Sequence, residues 1–260
     1  MRERVADAGA RGLVVGLSGG IDSAVVARLS QLASPGAVIG VLMPCHSDPA
    51  DERDAALVVK HFALPTLRAD LAPAYDTLIA TLKQSLTALP ASMHREHPPD
   101  DPRARVPLAN IKPRLRMTSL YFVANTMNYL VAGTGNRSEL SIGYFTKYGD
   151  GGVDLLPLAN LVKSEVRSLA RDLNVPEAII ARTPTAGLWL GQTDESEMGF
   201  AYDELEGYLQ DGPGSVPPAL AMKIERLVRA SEHKRHLAPA PTPDPREQAG
   251  TTVKNAKNER

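Results

Sequence analysis

The chain has a single cysteine, Cys45, among its 260 residues. An intramolecular disulfide is therefore excluded, and a reducing compartment suits it. Cys45 follows the apolar run Val38–Met43, so a buried structural thiol is expected. No apolar run approaches the ~18 residues that a membrane-spanning helix needs. The N-terminus lacks a basic stretch followed by an apolar core, so no secretory signal is read and a cytoplasmic location is expected. Net charge is only −1, which argues against nucleic-acid binding through bulk charge. No internal repeat is present. The phosphate loop G-x-x-x-x-G-K-[ST] is missing, because no lysine follows the glycines near the N-terminus. The fingerprint G-x-G-x-x-G is missing from that place too.

Hydrophobic residues make up 43% of the chain, enough for a sheet buried on both faces. Short apolar runs alternate with helical patterns. Strands are expected at Leu13–Leu17, Ala37–Met43, Thr66–Ala69 (weak) and Tyr129–Ala132. Helices are expected at Ile21–Leu32, Ala50–Phe62, Ala74–Leu89, Lys163–Asn174, Gly199–Leu209 and Pro217–Ala230. A further helix should run to about Asn128, capped by Asn110, with Pro113 tolerated in its first turn. Pro90–Pro107 reads as a mobile surface loop or crossover, and Pro184–Glu197 as a long ordered or lid-like loop. Beyond Ala238 the chain is proline-rich, then polar, and disorder is expected. The alternation predicts an α/β fold: a three-layer, doubly wound parallel sheet flanked by helices, Rossmann-like, in one domain over residues 1–237. Ligands of such sheets bind beyond the carboxyl ends of the strands.

One such end carries Gly16-Leu17-Ser18-Gly19-Gly20-Ile21-Asp22-Ser23. Two adjacent glycines allow a tight turn that brings backbone N–H groups close to a ligand. The following helix aims its positive end at the same space. Ser18 and Ser23 add hydroxyls. Asp22 is out of place beside a bare phosphate but fits one that carries magnesium. A lone Gly-Gly is an ordinary turn; Ser18, Asp22 and Ser23 in register after a strand point further. The pattern resembles the loop of the ATP pyrophosphatases, which split ATP between its α- and β-phosphates.

A second dense segment, 133–163, begins just after the fourth strand and so lies at the same sheet edge. Glu139 offers a second hard oxygen for magnesium, opposite Asp22. Lys147 and Lys163 offer positive charge. Asp150 and Asp154 flank Gly151-Gly152 in a tight turn. The pair His94 and His97 has metal-like spacing, but no carboxylate framework accompanies it.

With these pieces the chain resembles the ammonia-dependent NAD synthetases. The resemblance is carried by GLSGGIDS at 16–23, NIKPRLRM at 110–117, GTGNRSE at 133–139, FTKYGDGGVDLLPL at 145–158, LVKSEVRSLA at 161–170, TPTAGL at 183–188, GQTDESEMG at 191–199 and SEHKRH at 231–236. It implies the adenine nucleotide alpha-hydrolase-like fold and a homodimer. It also implies a two-step ligase reaction: the carboxylate of deamido-NAD attacks ATP to form an acyl-adenylate, and ammonia then gives NAD and AMP. By the same resemblance, Gly16 to Ser23, Thr134, Lys163 and Thr185 contact ATP. Asp22 and Glu139 hold Mg²⁺. Arg114, Lys147, Asp154, His233 and Lys234 contact deamido-NAD. Asp22, Lys163 and Asp150 are the catalytic candidates, Asp150 as an amide or ammonia contact. Tyr144 is placed either on the nicotinate ring or in ordinary packing. Of Arg114 and Arg116, one is assigned to substrate and the other to a surface ion pair.

The chain departs from the family pattern in three places, one of them the extended tail after Ala238. Only about fifteen residues precede the first loop, so either Arg2–Ala10 is a remnant of a longer helical segment or the start codon is misassigned. Gly187 stands where the family often has aspartate. No glutaminase domain is expected, which leaves free ammonia, or ammonia from a separate protein, as nitrogen donor. The competing readings are another ATP pyrophosphatase, of the GMP-synthetase or tRNA-thiolating type, and a non-catalytic nucleotide sensor. Asp22→Asn is expected to cost turnover while leaving the fold intact.

Overall fold

A computed structural model describes residues 1–94, 98, 101–189 and 191–240. Its centre is a four-stranded, all-parallel sheet of β1 (Leu13–Leu17), β2 (Val38–Leu42), β3 (Thr66–Arg68) and β4 (Leu130–Ala132), in the order β3-β2-β1-β4. The expected strands are all present, and the fold is α/β as read from the sequence. Leu155 adds an isolated parallel bridge to Ala132 beyond β4.

Side chains of a strand alternate between faces. Leu13, Val15 and Leu17 therefore join one apolar cluster and Val14 the other. The first cluster is covered by α2 (Ile21–Ala33), α3 (Pro49–Phe62), α8 (Lys163–Asp172) and α9 (Glu177–Ile180). The second is covered by α4 (Ala72–Leu86) and α6 (Ile111–Met127). The innermost residues of β1 are fully buried, each contributing about 1.5–3 kcal/mol through apolar burial. Cys45 is buried in the second cluster, as expected. A third cluster joins α7 (Arg137–Ile142) to α10 (Asp194–Met198), α11 (Tyr202–Asp211) and α12 (Pro218–Ala230). The short helices α1 (Arg2–Asp7) and α13 (Glu232–Arg235) flank the core.

Three local expectations are corrected. The proline-rich stretch 90–107 is not simply a loop: α5 (Pro102–Ala109) lies in it, with Pro107 inside the helix. Asp101 caps α5 by accepting the Arg103 N–H at 2.8 Å, a signal that the prolines masked. Asn110 does not cap α6 with its side chain. Its backbone is helical (φ −68°, ψ −13°), continuing from α5, and its Oδ1 accepts the Thr146 hydroxyl at 2.9 Å. The stretch 184–197 contains α10, where the Thr193 hydroxyl oxygen accepts the Ser196 N–H at 3.2 Å. His97 and the tail from residue 241 onward, which carries most of the expected disorder, lie outside the described residues. Among the described residues no helix is long and apolar enough to cross a membrane.

From β1 the chain steps outward through β2 and β3, then returns to place β4 on the other side of β1. The carboxyl ends of β1 and β4 therefore flank a topological switch point, where the connections diverge and leave a crevice.

Candidate active site

The turn after β1 sits in that crevice. Gly19 has φ +81°, and a Cβ there would lie 2.5 Å from the Asp51 carbonyl oxygen, so glycine is required twice over. The Ser23 hydroxyl donates to Gly20 O at 2.9 Å and accepts the Ser18 N–H at 3.3 Å. With its one hydrogen spent, the 3.1 Å contact between the two hydroxyls has Ser18 as donor. Ser18 Oγ also accepts the Gly20 N–H at 3.2 Å. Both hydroxyls thus hold the turn. Arg182 braces it from outside: it donates to Gly19 O at 3.4 Å and pairs with Asp51 and, at 2.9 Å, Asp54.

Asp22 lies in the first turn of α2, and Glu139 in that of α7 after β4. Asn136 caps α7, taking the Glu139 N–H at 3.0 Å, while Glu139 Oε2 accepts the Asn136 N–H at 3.3 Å. The same Asn136, fully buried, donates through Nδ2 to Asp22 Oδ1 at 3.0 Å. Lys163, at the start of α8 and 2% exposed, closes the group. Its Nζ is 2.5 Å from Asp22 Oδ2 and 3.4 Å from Glu139 Oε1, and lies 5.2 Å from the Tyr202 ring centre. Burial alone would push the Lys163 ammonium down; Asp22 and Glu139 reverse this and hold it above the ordinary lysine value. Burial pushes the Glu139 carboxyl up, against the pull of Lys163.

These groups open on a cleft of about 440 Å³ that Thr134 and Thr185 also line. Thr185 Oγ1 accepts the Gly187 N–H at 3.1 Å, and Gly187 has φ +61°, a conformation in which a side chain is strained. The loop over the cleft is tied down by Lys112, which donates to Leu188 O at 2.8 Å, and by the Leu188 N–H, which donates to Gln192 Oε1 at 2.8 Å. Tyr144 lines the cleft, its hydroxyl donating to Glu197 Oε2 at 2.7 Å.

The structure divides the residues matched to deamido-NAD. Lys234 lines both the main cleft and an adjoining recess of about 210 Å³, where Lys147 also stands. Lys234 Nζ donates to Gly143 O and Phe145 O, both at 2.8 Å. Lys147 donates to the carbonyl oxygens of His233 and His236, and Arg114 to that of Lys147 at 3.4 Å. Arg114 and His233 are exposed, and neither lines the cleft or the recess. Asp154 lies apart. Its two oxygens accept the Tyr121 hydroxyl at 2.9 Å and the Val131 N–H at 2.7 Å, tying α6 to β4. Asp150 lines the cleft and accepts the Thr146 N–H at 2.9 Å. Arg116 forms no surface ion pair; it donates to Met43 O and Ser47 Oγ, both at 3.2 Å.

Sequence reasoning gave no role to Asn136, Lys112, Arg182 or Asp194. Asn136 had a readable signal, the pattern Asn-x-x-Glu of a capping box. Arg182 and Lys112 had none, because their partners lie 131 and 76 residues away.

Two carboxylates converging on one point are the protein share expected for a magnesium ion that completes its shell with phosphate oxygens and water. A positive charge already lies between Asp22 and Glu139, so the donor set suits a cation. Among the described residues no cluster of three or more acids, histidines or cysteines could hold a metal alone.

Comparison with known proteins agrees with this geometry. The NAD synthase family profile matches residues 1–238. The NH(3)-dependent NAD(+) synthetase of Carboxydothermus hydrogenoformans is 50% identical over 241 residues, 93% of each chain. That of Syntrophomonas wolfei is 44% identical, over 92% of this chain and 90% of its own. Among solved structures, the NMN synthetase of Francisella tularensis has a TM-score of 0.81 at 36% identity, and the NH3-dependent NAD synthetase of Campylobacter jejuni, bound to nitrate, 0.71 at 29%. Each comparison covers 93% of both chains. A glycine turn and two carboxylates gathered at the switch point of a parallel sheet, in a chain matched from end to end of its described core, make this protein a member of the NAD synthase family.

Proposed function

We propose that the chain is a ligase that amidates deamido-NAD with ammonia at the expense of ATP, giving NAD, AMP and pyrophosphate. The observation that carries this reading is the convergence of the Gly16–Ser23 turn, Asp22, Glu139 and Lys163 on one cleft, with Thr134 and Thr185 on its walls. A carboxylate oxygen of the nicotinate attacks the α-phosphorus, and the bond to pyrophosphate breaks. The nitrogen of ammonia then attacks the acyl carbon, AMP leaves and the nitrogen sheds a proton. Two anions must meet in the first step, so the residues act mainly by positioning and by fixed positive charge. The N-terminus of α2 presents N–H groups to phosphate. Lys163 offers its ammonium. Asp22 and Glu139 would hold magnesium, whose charge offsets that of the phosphates when it is bound. Lys147 and Lys234 give the adjoining recess positive charge suited to the dinucleotide, Arg114 reaches the Lys147 carbonyl from outside it, and Asp150 faces the cleft where the amide forms.

Phe122 on α6, 73% exposed, is the candidate contact of a homodimer. The buried Cys45 suits a cytoplasmic location. Incubation with ATP, Mg²⁺, ammonium and deamido-NAD should yield NAD and AMP in equal amounts. ADP in place of AMP, or AMP without NAD, defeats the reading. The likeness to an NMN synthetase favours one alternative product, NMN. The same assay with nicotinate mononucleotide separates the two, since the preferred substrate has the larger kcat/KM.

A further inference from the structure

Asp194 is the one side chain among the described residues with a buried polar atom lacking any partner. It is 3% exposed and lines the cleft; its Oδ1 has no hydrogen-bond partner within 3.5 Å, and the Tyr144 hydroxyl, which donates to Glu197, stands close enough to Asp194 to interact with it. Its other oxygen, Oδ2, accepts the Tyr202 hydroxyl at 2.8 Å. An orphaned carboxylate oxygen costs about 1–3 kcal/mol or more, so a fold that retains it invites an explanation. Tyr202 supplies the link. Its ring lies under the Lys163 ammonium at 5.2 Å, while its hydroxyl holds Asp194. Lys163 and Asp194 thus touch the same tyrosine, and each feels the charge of the other.

Lys163 meanwhile fills the place between Asp22 and Glu139. A metal cation and an ammonium cannot share that place. When the carboxylates take a divalent ion, the lysine must go elsewhere, and it is too deeply buried to be rehydrated at small cost. We infer that Asp194 Oδ1 is the second berth of the Lys163 ammonium: the lysine stands in for the cation when the site is metal-free and crosses the Tyr202 ring to Asp194 when the cation binds. The ring keeps the charge in favourable contact along the way. An ammonium carries three hydrogens, so one on Asp194 leaves others for phosphate. Asp194 is then a positioning residue, acting through Lys163. The inference rests on the reading of Asp22 and Glu139 as cation ligands.

The test is Mn²⁺ binding, followed by electron paramagnetic resonance with a non-hydrolysable ATP analogue present, on the full chain and four variants. Lys163→Met should bind Mn²⁺ more tightly than the unaltered chain when nucleotide is left out, because nothing then competes for the carboxylates. Asp194→Asn should weaken Mn²⁺ binding about tenfold where Lys163 is present, within the usual range of coupling between sites. In the double variant Lys163→Met/Asp194→Asn that loss should largely vanish. An equal loss in both backgrounds, or none in either, overturns the inference, since a merely structural Asp194 would not distinguish them. Retention of Mn²⁺ binding by Asp22→Asn would instead remove the ligand reading, and the berth with it. A crystal structure of the unaltered chain with Mg²⁺ and the analogue decides the same question without a variant. Lys163 Nζ should be within hydrogen-bond distance of Asp194 Oδ1; an ammonium still bridging Asp22 and Glu139 beside a bound metal overturns the inference.

Discussion

Asn136 does two jobs with one side chain. Its oxygen caps α7 and its amide nitrogen holds Asp22 in place. Asn136→Ala removes both partners inside a buried group, so we expect a loss of about 2–4 kcal/mol in urea unfolding. The KM for ATP should rise as well; unchanged stability would mean that Asp22 finds another donor. Asp22 is tied into the fold through Asn136 and Lys163, besides its proposed role as a cation ligand. Because it pairs with a lysine that is 2% exposed, Asp22→Asn leaves that ammonium with a single carboxylate. Turnover should fall by about a hundredfold even at saturating Mg²⁺. Stability should also fall, by about 1–3 kcal/mol, contrary to the expectation that the fold would not notice. Calorimetry beside a steady-state assay separates the two effects.

At the scale of elements, the first turn of α3 and the turn after β1 are one unit. Asp51 and Asp54 of α3 hold Arg182, which reaches Gly19, and Asp51 O lies where a Cβ on Gly19 would go. Gly19→Ala must therefore push α3 away while straining a positive φ. A loss of at least about 1–3 kcal/mol is expected, with a raised KM for ATP and an unaltered KM for the second substrate. Equal changes in both KM values would show that the turn does not belong to ATP alone. Asp154 poses the complementary question, since both its oxygens serve α6 and β4. Asp154→Asn should lower the unfolding midpoint in any case. A substrate role adds a higher KM for deamido-NAD, and a purely structural one leaves that KM unchanged.

For the whole molecule, ligand binding at the switch point bridges segments from β1, β4 and the loop before α10, so it should stabilise the fold as a unit. At a hundredfold excess over Kd the gain is about 2.7 kcal/mol. For a chain of this size that corresponds to roughly 5–10 °C in Tm. A shift with ATP and Mg²⁺ together that exceeds the sum of their separate shifts is the expected result of a shared site. If the exposed face of α6 is the dimer contact, Phe122→Asp should convert a dimer into a monomer in sedimentation without lowering far-UV helicity. A dimer that survives the substitution places the contact elsewhere.

Wherever the physics is local, the sequence alone determined the result. Apolar runs of strand length gave β1, β2 and β4, the alternation of elements gave a parallel sheet, and Ser-Gly-Gly-x-Asp-Ser marked where its ligand end lies. Glycine turns, strand periodicity and the motif spacing of one loop are written within a few residues. α5 escaped because Pro107 inside it argues against a helix, although Asp101 at the cap and Pro102 in the first turn both favour one. Tertiary structure alone decided the rest: that Lys163 lies between two carboxylates 141 and 24 residues away, that Arg182 braces Gly19 across 163, and that Asp194 keeps an oxygen unpaired beneath the same tyrosine. Electrostatic pairing acts through space and depends on burial, and neither distance nor burial exists until the sheet has brought its strand ends together.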